Sequence, residues 1–366
     1  MTQPKSEIRN PKSSFVMAGG GTGGHVLPLL AVADELRKRG HQVLFFGTKR
    51  GIEARLVPAR DFPIEYIEIG GLKGVGLGRI ARTLWNLPVS TLQILARMRS
   101  LRPGAVFSLG GYVAGPTVLA ALMKRVPVVA MEPNAVPGIT NLRLGRFYRK
   151  TLLAFPHAAR YFPAGRTEVT GLPVREEFFA IPTRHRESTL RLLITGGSSG
   201  SRTLNLAARQ SWPLFRAAGF PIYILHQTGR AAFEDTRTLF AESGLEGEVV
   251  PFIENMPEAF ASSDLIVSRS GAGAVAELAA AGKPSILVPF PFATDQHQLR
   301  NAEAFERAGA ARLILDKDMN GQRLFQAVTE IASGPGKMGE AARTLAKPGA
   351  AHRAAVLLEE CAAGND

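Results

Sequence analysis

A chain of 366 residues, 45% hydrophobic and 20% charged, is too long for one compact core, suits two domains, and has neither a disordered nor a membrane-embedded composition. Its net charge of +13 sits unevenly: residues 1–172 carry 24 Lys and Arg against 9 Asp and Glu, residues 173–366 carry 20 against 22, so one basic domain facing an anionic partner is expected beside one ordinary domain. Cys361 is the single cysteine, which excludes an intramolecular disulfide; no apolar run approaches the ~20 residues of a bilayer span, and the polar start MTQPKSEIRNPKSS lacks a signal peptide's apolar stretch, so the chain is expected to work in the cytoplasm.

In chain order, SFVMA (14–18) reads as a short buried strand, and the glycine loop GGGTGG leads into a helix over 26–39 with apolar spacing at Leu30, Ala33 and Leu36. HQVLFFG follows as a second strand, completing a βαβ unit, and strand and helix signals alternate on through AVFSLGGYVAGP and VPVVAME. The same grammar restarts at LRLLITGGSSGSRTLN and runs through FPIYILHQTG, DLIVSRSGAGAVAELAAAG and KPSILVPF. The pattern predicts an α/β protein of two Rossmann-like, doubly wound parallel-sheet domains with a cleft between them. The domains are expected at 12–172 and 173–349, with the Pro-rich stretch 172–191 as linker and a C-terminal helix over 350–366 packing back on the first domain.

A loop without Cβ atoms lets backbone N–H groups approach an anion, and the helix that follows adds about half a positive charge. Residues 19–24 satisfy G-x-G-x-x-G, so a nicotinamide enzyme is a reading to weigh. The second strand ends in Thr48, Lys49 and Arg50, which suit an NADP 2′-phosphate better than an NAD ribose. In the second half, SRSGAGAVAELAAAG sets Gly271 and Gly273 before a helix carrying Glu277. Diphosphate oxygens can meet the amides of 271–274 while a carboxylate one turn on accepts two ribose hydroxyls, which makes a nucleotide-diphosphate site; Glu277 as a solvated helix residue is the alternative.

Six collinear motifs, GGTGGH (20–25), GGYVAGP (110–116), GLPVR (171–175), GGSSGS (196–201), SRSGAGAVAE (268–277) and DQHQLRNA (295–302), together resemble the MurG family, the undecaprenyl-diphospho-muramoylpentapeptide β-N-acetylglucosaminyltransferases of glycosyltransferase family 28. The resemblance runs across nearly the whole chain. It implies a GT-B fold and an inverting transfer of N-acetylglucosamine from UDP-GlcNAc to the 4-hydroxyl of the muramoyl sugar of lipid I, giving lipid II for peptidoglycan. It also implies a donor on the C-terminal domain and a lipid acceptor on the N-terminal one. Carried over by resemblance, Thr22, Gly23 and Gly24 line the cleft, Asn134 reaches the donor sugar, and Arg175 and Ser198 contact the nucleotide and its phosphates. Ile253 holds uracil through its backbone, Ala272, Gly273, Ala274, Val275, Ala276 and Glu277 cradle diphosphate and ribose, and Gln298 binds sugar hydroxyls. The chain departs from the family pattern at Met131 and Pro133 around Glu132, where His and Gln are usual, and at Leu172, where Asn is usual.

An inverting transfer needs a base on the acceptor hydroxyl and charge relief on the departing nucleotide. His25, at the loop's exit, is the first candidate base, because an imidazole takes a proton near neutral pH; a role in shaping the turn is its alternative. Glu132 is the second candidate base or an orienting carboxylate, with a paired structural acid as its alternative. Arg175, Ser198 and the helix after Gly273 can meet the leaving charge, so neither a metal nor a cofactor is expected. Asp316-Lys317-Asp318 matches D-x-D but closes a strand, as ordinary loop chemistry does.

Between Glu68 and Glu132 no acid occurs, while eight Lys and Arg do. Within LGRIARTLWNLPVSTLQILARMR, Pro88 is expected to break two amphipathic pieces. The first, with Leu77, Arg79, Ile80, Arg82, Leu84 and Trp85, is expected to touch an anionic membrane surface at the cytoplasmic face of the cell membrane. The second, with Leu92, Leu95 and Met98, is expected to be a buried core helix. Nucleic acid is not expected as a partner, because no aromatic stacking platform accompanies the cations. Three rivals remain open: an NADP-dependent oxidoreductase, another UDP-sugar-dependent GT-B lipid glycosyltransferase such as a diacylglycerol glucosyltransferase, and a nonenzymatic lipid-binding module.

Overall fold

The computed structural model describes residues 13–70, 77–183, 188–293, 296–334 and 336–364 and, within 77–84, the backbone alone. The chain separates into two compact units, the first Met1–Val174 with Gly349–Asp366, the second Arg175–Pro348.

The first unit is built on seven parallel strands: β1 (Ser14–Ala18), β2 (Gln42–Gly47), β3 (Ile64–Tyr66), β4 (Ala105–Ser108), β5 (Val128–Glu132), β6 (Lys150–Leu153) and β7 (Thr167–Val169), in the spatial order β3-β2-β1-β4-β5-β6-β7. Its helices are α1 (Gly23–Lys38), α2 (Glu53–Leu56), α3 (Leu77–Leu101), α4 (Gly111–Met123) and α5 (Ile139–Leu144). Helices on both faces of a parallel sheet call for strands apolar on both sides. Phe15, Val16, Met17 and Ala18 are accordingly all fully buried. The chain winds from β1 out to β3, then crosses to β4 and winds the other way, so the loops after β1 and β4 diverge at a switch point, where such sheets bind ligands.

The second unit opens with α6 (Glu176–Phe179) and holds six parallel strands: β8 (Leu190–Thr195), β9 (Ile222–Gln227), β10 (Glu246–Val250), β11 (Leu265–Ser268), β12 (Ser285–Leu287) and β13 (Arg312–Leu313), in the order β10-β9-β8-β11-β12-β13. Between and after them run α7 (Arg202–Ala217), α8 (Phe233–Glu242), α9 (Met256–Ala261), α10 (Ala272–Ala281), α11 (His297–Arg307), α12 (Gly321–Ser333) and α13 (Met338–Thr344). Here the switch point lies between β8 and β11. Leu192, Ile194, Leu204, Ile224, Leu265 and Val267 belong to the core cluster beneath it. The last helix, α14 (Ala350–Ala363), belongs to the first unit: Leu358 is buried, Arg353 donates to both oxygens of Glu168 at 2.7 and 3.0 Å, and Glu359 accepts from Arg39 at 2.9 Å and pairs with His41 at 2.8 Å.

Three local readings change. The expected linker is not an open connector: Phe178 of α6 is fully buried and meets Phe260 edge-on at 5.1 Å, because a short aromatic turn gains more by closing the second unit's core than by staying in water. Pro88 does not divide α3, which runs unbroken through it; one lost ladder bond is tolerated in a helix held by packing. Leu92 is not a core residue but 65% exposed. Met98 is buried as expected and Leu95 packs half-buried against the same core; Ile94, one turn before Met98, fills the inner face with it, and Leu92 falls on the opposite one.

Candidate active site

At the switch point of the first unit, β1 runs into residues 19–22 and then α1. Gly21 takes φ +86°, and its N–H donates to Oε2 of Glu53 at 2.8 Å. The other oxygen of Glu53 accepts from the N–H and hydroxyl of Thr48 at 2.9 and 2.8 Å. A Cβ on Gly20 or Gly51 would lie 2.5 or 2.0 Å from this carboxylate, so these glycines make room for Glu53. Sequence reasoning missed Glu53: its partner Gly21 lies 32 residues away, and nothing local marks it. The ring of Tyr112, 39% exposed at the start of α4, comes within 3.1 Å of the place a Gly21 Cβ would take. Its hydroxyl is held above the usual phenol range by burial and then by the charge of Glu53, against a hydrogen bond with Thr48.

His25 lies in the first turn of α1, half-buried, with Nδ1 2.9 Å from the hydroxyl of Thr22. A Cβ on Gly111 would stand 3.7 Å from Nε2, so the ring spans the two diverging loops. In the tautomer whose Nδ1–H donates to the Thr22 hydroxyl, the lone pair lies on Nε2. Thr22 and Gly24 are exposed and Gly23 half-buried at the same turn.

Glu132 ends β5 and is 1% exposed. One oxygen accepts from the N–H and amide of Asn134 at 3.0 and 3.3 Å; the other accepts from the amide of Asn141 at 2.9 Å and the N–H of Gly138 at 3.3 Å. Burial pushes its pKa up to about 7, and those four donors pull against the rise. Tyr148 donates to Asn141 from below at 3.3 Å. The carboxylate is thus spent on shaping the loop that presents the half-buried Asn134. Asn141, 2% exposed and absent from the sequence reading, also donates to the carbonyl of Met131, so the Met at this position keeps its local partner through the backbone.

In the second unit, residues 196–201 follow β8, with Gly197 and Gly200 at φ +81° and +75°. A Cβ on Gly200 would stand 1.9 Å from the carbonyl of Thr228, which only glycine permits. Ser198 is exposed at the tip. Gln227, 1% exposed, donates to the carbonyl of Gly197 at 2.7 Å and accepts from the N–H of Ile253 at 2.9 Å, so one side chain sets the loops of both Ser198 and Ile253. Sequence reasoning missed this residue as well. Arg269 ties the neighbouring edges: it donates to Ser201 at 2.7 Å, to the carbonyls of Val288 and Pro289 at 3.1 and 3.2 Å, and to Asp316 at 2.5 Å. The D-x-D acid Asp316 therefore sits in an internal ion pair.

After β11, Gly271 caps α10, whose first residues are Ala272, Gly273, Ala274, Val275 and Ala276. Glu277 follows in the second turn, its side chain 16% exposed, with Nη2 of Arg175 3.9 Å away. Burial pushes its pKa up to about 7, and Arg175 pulls against that rise. Arg175 stacks over Phe178 at 4.9 Å, and its Nε is buried with no hydrogen-bond partner in the structure. Gln298, in the first turn of α11, accepts from the N–H of Phe290 at 3.0 Å, and its own carbonyl accepts from the buried Ser270.

On the outer face of α3, Trp85, Val89 and Leu92 are 76%, 56% and 65% exposed and follow at helical spacing. The side chains of Leu77, Arg79, Ile80, Arg82 and Leu84 lie outside the described residues. Among the described residues no helix is long and apolar enough to cross a membrane.

These half-sites have close relatives. Residues 15–153 match the model of the glycosyltransferase family 28 N-terminal domain, and residues 191–357 that of its C-terminal domain. The chain is 62% identical over 350 residues to the UDP-N-acetylglucosamine--N-acetylmuramyl-(pentapeptide) pyrophosphoryl-undecaprenol N-acetylglucosamine transferase of Solibacter usitatus, covering 96% of each, and 44% identical to that of Halorhodospira halophila over 96% of this chain and 99% of that one. Among solved structures, MurG of Acinetobacter baumannii superposes with a TM-score of 0.76 at 34% identity, over 95% of this chain and 99% of the other. With its two parallel sheets in a GT-B fold, the chain belongs to glycosyltransferase family 28.

Proposed function

We propose that the protein transfers N-acetylglucosamine from UDP-GlcNAc to the 4-hydroxyl of the muramoyl sugar of lipid I, with inversion, releasing UDP and forming lipid II. The reading is supported by the relatives' names and, above all, by one observation in the second unit. A glycine-capped helix, a half-buried Glu277 beside Arg175, and the loops of Ser198 and Ile253 locked together by Gln227 all converge at the β8 and β11 switch point.

There the N–H groups of 272–274 and the α10 terminus receive the diphosphate, and Glu277 accepts the ribose hydroxyls. Arg175 and Ser198 meet the charge that grows on the leaving phosphate, the backbone of Ile253 reads uracil, and Gln298 holds the sugar. In the first unit, the acceptor's 4-oxygen attacks C1 of the donor sugar. The bond from C1 to the phosphate oxygen breaks, UDP leaves with the electron pair, and the hydroxyl proton passes to Nε2 of His25. Asn134 holds the donor sugar, and Glu132 acts as a positioning residue through Asn134. Thr22, Gly23 and Gly24 form the surface the reacting sugars approach.

The exposed Trp85, Val89 and Leu92, with the cations of the acid-free stretch, dock the first unit on the anionic cytoplasmic face of the membrane, where the lipid-borne acceptor resides. The NADP reading is not carried forward: Thr48, which it sets against a 2′-phosphate, gives both of its donors to Glu53. The test is incubation with radiolabelled UDP-GlcNAc and either a lipid I analogue or diacylglycerol. Label moving to the lipid I analogue alone is the expected result; label on diacylglycerol alone would replace the acceptor, and label on neither would remove the activity.

A further inference from the structure

We infer that Glu53 is a positioning residue for the proposed transfer: through the N–H of Gly21 it fixes the first glycine loop, and with it the ring nitrogen that His25 offers to the acceptor hydroxyl. The inference rests on the reading of His25 as the base. A general base works only if its lone pair is held within about 0.5 Å of its place, yet glycine at 19, 20, 21, 23 and 24 makes the approach to His25 the least constrained kind of backbone. The hydroxyl of Thr22 orients the ring from 2.9 Å. Thr22 stands at the N-cap of α1 but makes no side-chain bond to the helix, the usual task of a threonine there. Its hydroxyl serves His25 instead, so its pose is set by the residue before it. That residue is Gly21, at φ +86°, a conformation glycine adopts and leaves with equal ease.

Glu53 supplies the anchor. It is 1% exposed; Oε2 accepts from the N–H of Gly21 at 2.8 Å, and Oε1 accepts from the N–H and hydroxyl of Thr48 at 2.9 and 2.8 Å, so the loop after β1 is tied to the residue that follows β2. Three glycines give the side chain its space: a Cβ on Gly20, Gly47 or Gly51 would stand 2.5, 2.6 or 2.0 Å from an atom of Glu53. On the side where a Gly21 Cβ would point, the ring of Tyr112 closes the loop at 3.1 Å. Three donors meet one carboxylate, which accepts on both oxygens. A glutamine of the same shape has one oxygen. Turned to Thr48, it sets its NH2 against the N–H of Gly21; turned to Gly21, it sets the NH2 against the N–H of Thr48. Either way a buried backbone donor faces a donor, and the strap across the loop is lost. Buried as it is, Glu53 acts through Gly21 and Thr22 rather than on the reacting sugars.

The test compares the full chain with Glu53→Gln by nitrogen-15 magnetic resonance of the histidine rings, the His25 signals being assigned by their loss in His25→Ala. In the parent at pH 8, His25 is expected in one tautomer, protonated on Nδ1, and the Gly21 amide is expected to exchange at least tenfold more slowly than that of the exposed Gly24. Glu53→Gln, folded by circular dichroism, is expected to mix the tautomers and to lower kcat with a lipid I analogue at least tenfold, with UDP affinity within twofold of the parent. A parent that moves no sugar would remove the transfer reading and leave the ring and amide signals to decide the role of Glu53. The inference is overturned by a Gly21 amide that exchanges as fast as Gly24, a result that needs no variant. It is equally overturned by a folded Glu53→Gln that keeps the single tautomer or the parent's kcat, or that weakens UDP as much as it lowers kcat.

Discussion

Burial pushes the carboxyls of Glu132, fully buried, and Glu277, half-buried, up to about 7, yet their neighbours divide their roles. Four donors occupy the first, whereas the second faces Arg175 at 3.9 Å and, in the proposed complex, the ribose. If Glu277 must be ionised to accept ribose hydroxyls, UDP affinity rises with pH through about 7 and then levels. Calorimetric titration from pH 5.5 to 8.5 checks this. Glu277→Gln is expected to flatten the profile and weaken binding by about 1.5–3 kcal/mol, the range for a hydrogen bond to a charged group. His25→Ala is expected to lower turnover far more than UDP affinity; equal losses would make the ring structural.

Stability carries the same residues' signature with the sign set by linkage. In the native state the two glutamates keep their protons from pH 4.5 up to about 7, where the unfolded chain has lost them, so their contribution is present at low pH and fades as pH rises through that window. His226 does the opposite: fully buried, its pKa is lowered from 6.5 to about 4 by desolvation, so the unfolded state binds the extra proton and stability falls as pH drops through that interval. At about 1.4 kcal/mol per pKa unit the loss approaches ~3 kcal/mol. Urea unfolding at pH 6.5 and 4.5 is expected to show a smaller acid-side drop in His226→Gln than in the parent chain.

At the scale of elements, strands and glycine loops were legible because parallel strands buried on both faces read as apolar runs and because the loops lack side chains. The second-unit candidate site was legible as a cluster too, since Gly271 and Glu277 lie on one helix start. What stayed hidden is what holds the loops in place. Glu53, Asn141, Gln227 and Arg269 reach partners distant in sequence, up to 68 residues away for Arg269 with Ser201, and no local periodicity encodes such pairs. Leu92 shows the reverse error, an apolar residue assigned inward although its neighbours Ile94 and Met98 already fill the inner face. Gln227→Leu would leave the carbonyl of Gly197 and the N–H of Ile253 without this partner. It is expected to reduce UDP affinity about tenfold although the side chain is proposed to touch no ligand, as a binding isotherm would show. Leu358→Ala in α14 should cost the first unit about 2–4 kcal/mol, measured by denaturant unfolding.

For the whole molecule, charge and topology divide the labour. The excess of cations lies in residues 1–172, and the acid-free stretch between Glu68 and Glu132 contains the exposed face of α3. Sedimentation with vesicles rich in anionic lipid is expected to bring the protein down at low salt and to release most of it at 0.5 M, because exposed charges are screened within a few ångströms there. Trp85→Glu is expected to weaken that binding severalfold. Each sheet has its own switch point, and everything proposed about chemistry rests on the nucleotide choosing the one between β8 and β11. Photolabelling with a UDP-GlcNAc analogue azido-substituted on uracil, followed by peptide mapping, tests this most directly. The label is predicted on the peptide containing Ile253 and to vanish under excess UDP; label on the peptide containing residues 19–25 would contradict the assignment.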